Sequence, residues 1–231
     1  MSTSQATAPA GHPALFLYPA QARFGQVVPK QKIYAHSGAN TRLKNLFVAQ
    51  VEQIVWQYKL APETLNLPAR PGVTEIQVFR VVLKGPELSV EVLQCVDEAV
   101  PFPLVFELEY AQQVRMVAAY KRPSAAGASR WVVGDYFWSG WWPADAVRRA
   151  LPVVLDLAGL YQALLQGLVP LSPRLQEGLP DWMARVELAA RKHREVERVQ
   201  ARLTRERQFN RKVALNATLR QLKAELEALS H

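Results

Sequence analysis

A single cysteine, Cys95, occurs in 231 residues, so an internal disulfide is impossible and the Cys-rich cages of structural zinc sites are excluded. Cys95 sits among apolar residues at helical spacing, the setting of a buried, inert thiol. The four histidines, His12, His36, His193 and His231, are scattered, which argues against a catalytic triad. No Walker loop, GxGxxG, HExxH or nucleophile elbow is found, so nucleotide hydrolysis and the standard hydrolase mechanisms have no support. No cofactor and no metal are expected. No apolar run approaches the roughly 20 residues of a membrane helix. The N-terminal MSTSQATAPAGHPALFLYP lacks a basic segment ahead of its short apolar patch, so a secretory signal is not expected and the chain is assigned to the cytoplasm.

What is present is the composition of a folded protein, 49% hydrophobic and 21% charged. The net charge of +8 is unevenly placed. Between Arg185 and Lys212 ten basic residues face four acids, an excess of six, so the rest of the chain is nearly neutral. A local field of this kind favours a polyanion or an acidic protein surface.

Organisation follows from composition and period. Residues 1–13 are small and polar and read as a disordered tail; residues 14–170 read as an α+β core domain. Within it, NTRLKNLFVAQVEQIVWQYKL carries Leu43, Phe47, Val51, Ile54, Val55 and Tyr58 at helical spacing behind an Asn40/Thr41 cap, predicting one amphipathic helix that stops before Pro62. TEIQVFRVVLKG predicts a central strand, and Leu88 to Val96 a short helix. VPFPLVFELEY and QVRMVAAYKR predict an antiparallel hairpin turning around Ala111-Gln112. A three-residue turn after Tyr110 is expected, which sets Glu109 opposite Arg115 on one face of the hairpin; a two-residue turn would set Leu108 there. RWVVGDYFW is the last expected strand, and SGWWPADAVRRALP a loop entering a helix capped by Ser139 or Asp145. Trp131, Trp138, Trp141 and Trp142 are either packing or a stacking platform. The expected core is thus a mixed sheet of about four strands flanked by helices.

Residues 171–180 form a Pro/Ser/Gly-containing linker, and 181–229 contain neither Gly nor Pro. That segment predicts an extended, coiled-coil-like helical arm of about 70 Å. Val196, Val199 and Leu203 make one apolar stripe, and Leu215, Leu219, Leu222, Leu226 and Leu229 a second, suited to a partner helix. On one continuous helix the stripes are displaced by about 120°, which implies a change of partner surface near Phe209. Arg191, Arg194, Arg198, Arg202, Arg205 and Lys212 share a sector of about 80°, rising about 32 Å. Such a stripe is either a solvated helix face, with Glu187 inside the sector and Glu195 and Glu206 beside it, or a surface for non-specific contact with DNA or RNA phosphates.

The nearest approach to a catalytic set is Glu75, Glu107, Glu109 and Lys121, since a metal-dependent nuclease needs carboxylates and a lysine converging at strand ends. The acid, then acid-x-Lys, spacing of restriction-type nucleases is missing. The other reading of Glu107 and Glu109 is a solvent-facing or cross-hairpin pair.

Several segments together resemble the bacterial and archaeal family called domain of unknown function 4391: VEQIVWQYKLAPETLNL, EIQVFRVVLK, VPFPLVFELEY, VAAYKR, WVVGDYFW and QFNRKVALNATLR. The resemblance spans residues 30 to 229. It implies no catalytic residues. It does imply a place beside Snf2-like helicases and DNA methyltransferases in restriction-like or phage-defence loci, and so a helicase or methyltransferase partner. The expected function is a non-enzymatic accessory subunit that docks its partner through the C-terminal helix and touches nucleic acid weakly. The alternatives are a divergent metal-dependent nuclease and a self-associating structural protein.

Overall fold

In the computed structural model, residues 15–124 and 127–230 are described; the expected tail of residues 1–13 lies outside them. The chain is α+β and divides after Pro170 into two compact units.

The first unit is built on a mixed seven-stranded sheet. After a two-residue strand β1 (Phe16–Leu17), β2 (Arg23–Val27) leads into helices α1 (Lys30–Ser37) and α2 (Thr41–Gln50). Then follow β3 (Val51–Leu60), a single turn α3 (Pro62–Leu65), β4 (Ile76–Leu83), α4 (Val90–Ala99), β5 (Leu104–Tyr110), β6 (Gln113–Ser124) and β7 (Gly127–Trp138). The short strands β8 (Trp142–Pro143) and β9 (Arg149–Ala150) precede α5 (Leu157–Gln166). Strand order is β2-β3-β4-β5-β6-β7, with β8 also on β6 and β9 pairing only β1. All neighbours in the large sheet are antiparallel except β4 and β5, which α4 connects as a βαβ crossover.

One face of the sheet packs against α1, α2 and α4. Phe79, Val81, Phe106, Leu108, Val117 and Trp138 meet Ile33, Phe47, Leu93 and Val96 there. The alternate residues Val78, Val105 and Met116 are buried too, so the central strands are covered on both faces and read as continuous apolar runs. Cys95 is buried on α4 beside the Ser37 hydroxyl at 2.9 Å, and burial pushes its thiol pKa up. The thiol is therefore a weak nucleophile.

Three expectations for this unit are corrected. The helix expected to run to residue 60 ends at Gln50, and β3 follows at once. β3 carries bulges between Val51 and Gln53 and between Trp56 and Tyr58. They interrupt the two-residue period, and the resulting apolar spacing of 51, 54, 55 and 58 imitates a helix. The Lys30 ammonium closes the end of α2, donating to the carbonyls of Phe47 and Val51 at 3.3 and 2.5 Å. Next, the β5–β6 turn has two residues, Ala111 and Gln112, both at positive φ (46° and 60°). Leu108 therefore faces Arg115, and Glu109 faces Val114. Finally, SGWWPADAVRRALP holds two short strands in place of a helix start. Ser139 accepts from the Met116 N–H at 2.8 Å, and Asp156 is the residue that caps a helix, α5. The sheet exceeds the expected four strands by three: β3 reads as helix in the sequence, and β2 and β8 are too short to leave a periodic signal.

The second unit contains α6 (Leu179–Arg205) and α7 (Phe209–Ser230). The helical arm, which the sequence leaves open as one helix or a hairpin, is an antiparallel hairpin, in which Lys192 near the middle of α6 pairs with Glu225 of α7 at 2.7 Å. The chain turns at Glu206–Gln208 without glycine or proline. Glu206 takes extended backbone angles, and its carboxylate accepts the N–H groups of Arg207 and Gln208 at 2.8 and 2.9 Å. Folding back answers the 120° phase change. Leu219 and Leu222 are buried, Leu215, Leu226 and Leu229 half-buried, and Val196, Val199 and Leu203 half-buried on α6. The partner helix for the leucine seam is thus α6 of the same chain.

Candidate nucleic-acid interface

The arginines of α6 lie on the side the hairpin leaves open. At about 100° per residue, with Arg191 at zero, Arg194, Arg198, Arg202 and Arg205 fall between about −60° and +20°, while Val196, Val199 and Leu203 centre near +115°. All five arginines are exposed, and among the described residues none makes an ion pair. The acids near them are otherwise engaged or weakly placed. Glu195 pairs with Lys192 at 3.6 Å, Glu197 with His193 at 3.6 Å, and Glu206 is held by backbone N–H groups, which lower its pKa. Glu187 is exposed within the sector.

Lys212 does not belong to this stripe, because the helix is broken at residues 206–208 and Lys212 stands on α7. The stripe from Arg191 to Arg205 rises about 21 Å, not 32 Å. Two further cations of the basic segment are structural. Arg185 is buried against Glu177, and Lys192 joins the two helices through Glu225.

The four residues proposed for metal chemistry do not converge. Alternation along β5 puts Glu107 and Glu109 on the face opposite Phe106 and Leu108. Glu107 is buried in a two-point ion pair with Arg148, at 2.6 and 2.9 Å. Glu109 pairs with Arg80 at 2.8 Å. Glu75, before β4, accepts from Gln77 at 2.5 Å and lies 3.5 Å from Lys59. Lys121 reaches the helix-covered face, where its ammonium donates to the carbonyls of Asp97 and Val100 and lies 3.3 Å from the Asp97 carboxylate. Burial raises Asp97 to about 6 and lowers Lys121, and the Tyr136 hydroxyl also donates to Asp97. Each proposed group is thus committed to its own partner. Among the described residues no three His, Cys, Asp or Glu side chains gather as a metal site requires.

An open depression of about 490 Å³ lies beside Arg80, lined by Val27, Pro29, Lys30, Glu52, Gln53 and Val82. Its cations are occupied, Arg80 by Glu109 and Lys30 by helix-end carbonyls. Two of the tryptophans act in packing: Trp138 is buried, and the Arg115 guanidinium sits 4.6 Å from its ring and 5.1 Å from that of Trp141.

Sequence reasoning missed Arg148, Arg80 and Asp97, the partners that neutralise the proposed catalytic groups. Their separations in sequence from Glu107, Glu109 and Lys121 are 41, 29 and 24 residues, and nothing local announces such a pairing. No curated protein and no solved structure gives a significant match. Residues 16–226 match the profile of the domain of unknown function DUF4391, and with most of its length matched the chain belongs to that family.

Proposed function

We propose that the chain is a non-enzymatic accessory subunit of a DNA-processing system that contacts nucleic acid without sequence preference through α6. The observation supporting this is the row of five exposed arginines in one sector, free of carboxylate partners among the described residues, on a helix whose opposite side is used for packing. Guanidinium groups spaced along a helix neutralise phosphates and release counterions whatever the base sequence. The partner class, a helicase or methyltransferase in a defence-type system, rests on the company the family keeps. With the leucine seam occupied by α6, partner docking falls to other surfaces. The nuclease alternative draws no support from the placement of Glu75, Glu107, Glu109 and Lys121.

The test is the salt dependence of binding to a labelled oligonucleotide. Five arginines give a log-log slope of at most about −4.5, at about −0.9 per phosphate neutralised. Replacing Arg194, Arg198, Arg202 and Arg205 by Gln flattens the slope by up to about 3.6, with helicity unchanged. If the wild type binds neither DNA nor RNA at about 50 mM salt, or the quadruple variant binds equally well, the arginine face has no nucleic-acid role.

A further inference from the structure

The tip of the α6–α7 hairpin presents an aromatic ring to solvent. Phe209, the first residue of α7, is 77% exposed, and Val213, one turn further on, is 51% exposed. On the wheel of α7, with Phe209 at zero, the buried Leu219 and Leu222 average about −110° and Val213 lies near +40°. The ring therefore lies on a different side of α7 from the seam and stays largely in solvent. Its surroundings are cationic. Arg205, Arg207, Arg211 and Lys212 are all exposed and free of ion pairs among the described residues. Glu206, the one acid of the tip, is turned onto the backbone N–H groups of Arg207 and Gln208.

An exposed phenylalanine is unfavourable in water, and four cations around it repel one another and any basic surface. A polyanion that also carries flat apolar rings satisfies both features. From this geometry we infer that Phe209 stacks on an unpaired base of a nucleic-acid strand while Arg205, Arg207, Arg211 and Lys212 hold the adjoining phosphates. A base inside a continuous duplex is already stacked on both sides and offers the ring no face, so the tip selects single strands or frayed ends over closed duplex. Stacking tolerates any base, in keeping with the absence of a base-reading motif. The inference rests on the nucleic-acid reading of α6 and adds a preference for unpaired strand.

The full chain is titrated with a fluorescein-labelled oligothymidine of about 20 nucleotides, longer than single-strand sites of about 4 to 16 nucleotides, and with a blunt duplex of the same length. Phe209→Ala is expected to weaken oligothymidine binding about tenfold, the effect of losing one stacked base, and to leave duplex binding within about twofold. Phe209→Trp restores single-strand binding, and Phe209→Leu, apolar without a π face, does not. A 2-aminopurine in the oligonucleotide should be quenched by the wild type and not by Phe209→Ala. Equal losses on both nucleic acids, or none on either, overturn the stacking role while leaving the arginine face standing. Absence of all binding by the wild type overturns both. If Phe209→Ala instead changes the sedimentation of the free protein and leaves oligonucleotide affinity alone, the ring is a protein contact and the inference is wrong. Because the side chain is largely exposed, circular dichroism of each variant should match the wild type.

Discussion

Arg185 grips both carboxylate oxygens of Glu177, at 2.7 and 2.6 Å, and its remaining donors close on the Leu229 and Ser172 carbonyls at 2.7 and 2.8 Å. One guanidinium thus ties the segment before α6, α6 itself and the end of α7. The pair is nearly buried, with side-chain exposures of 7% and 11%. The Arg185 hydrogen bonds hold the Glu177 carboxyl down at about 2. A depressed acid stabilises the fold above its unfolded pKa and loses that contribution as pH falls through the folded one. The hairpin should therefore loosen between about pH 4.5 and pH 2. Helicity followed by circular dichroism should show an acid transition there, and Glu177→Gln should lower stability at neutral pH and remove that part of the transition.

Glu107 has a structural assignment with a measurable consequence. Removing one side of a buried, two-point ion pair leaves the other charge uncompensated, at a cost of about 3 kcal/mol. Glu107→Ala should lower the melting temperature by about 6 to 12 °C in a chain of this size. A variant that melts like the wild type but loses a magnesium-dependent cleavage activity would restore the nuclease reading.

The β5–β6 turn is strained in a way that engineering can relieve. Ala111 and Gln112 both occupy the left-handed region, which costs a residue with a Cβ about 1 kcal/mol or more. Two-residue hairpin turns of this type prefer Asn-Gly. The double substitution Ala111→Asn, Gln112→Gly should raise stability by about 1 kcal/mol in denaturant titration, with the denaturant slope unchanged.

The seam of the second unit makes a prediction about concentration. Leu222 is 9% exposed, and a carboxylate in its place would be buried without a partner. Leu222→Asp should melt the hairpin, with a loss of about 3 kcal/mol or more. Because the partner helix is in the same chain, melting should be independent of protein concentration. A midpoint that rises with concentration would make the seam intermolecular.

Local sequence determined whatever depends on local chemistry. The run IQVFRVVL specified a strand because apolar residues on both faces suit only a covered sheet interior. The cap at Asn40, whose side chain accepts from the Leu43 N–H at 2.9 Å, marked the start of α2. The five α6 arginines could be set on one face because helical phase persists along an unbroken helix. Tertiary structure decided the rest. It converted residues 51–60 from helix to strand, because bulged pairing with β2 and β4 outweighed an apolar spacing that either structure can satisfy. It turned one arm into a hairpin, because two stripes on different sides of a straight helix bury most area when they face each other, and a turn at Glu206 needed no breaker residue to form. And it gave Glu107 and Lys121 their partners, Arg148 and Asp97, since a charge taken into a protein interior must be paired and the pairing residue is fixed by proximity in space rather than along the chain.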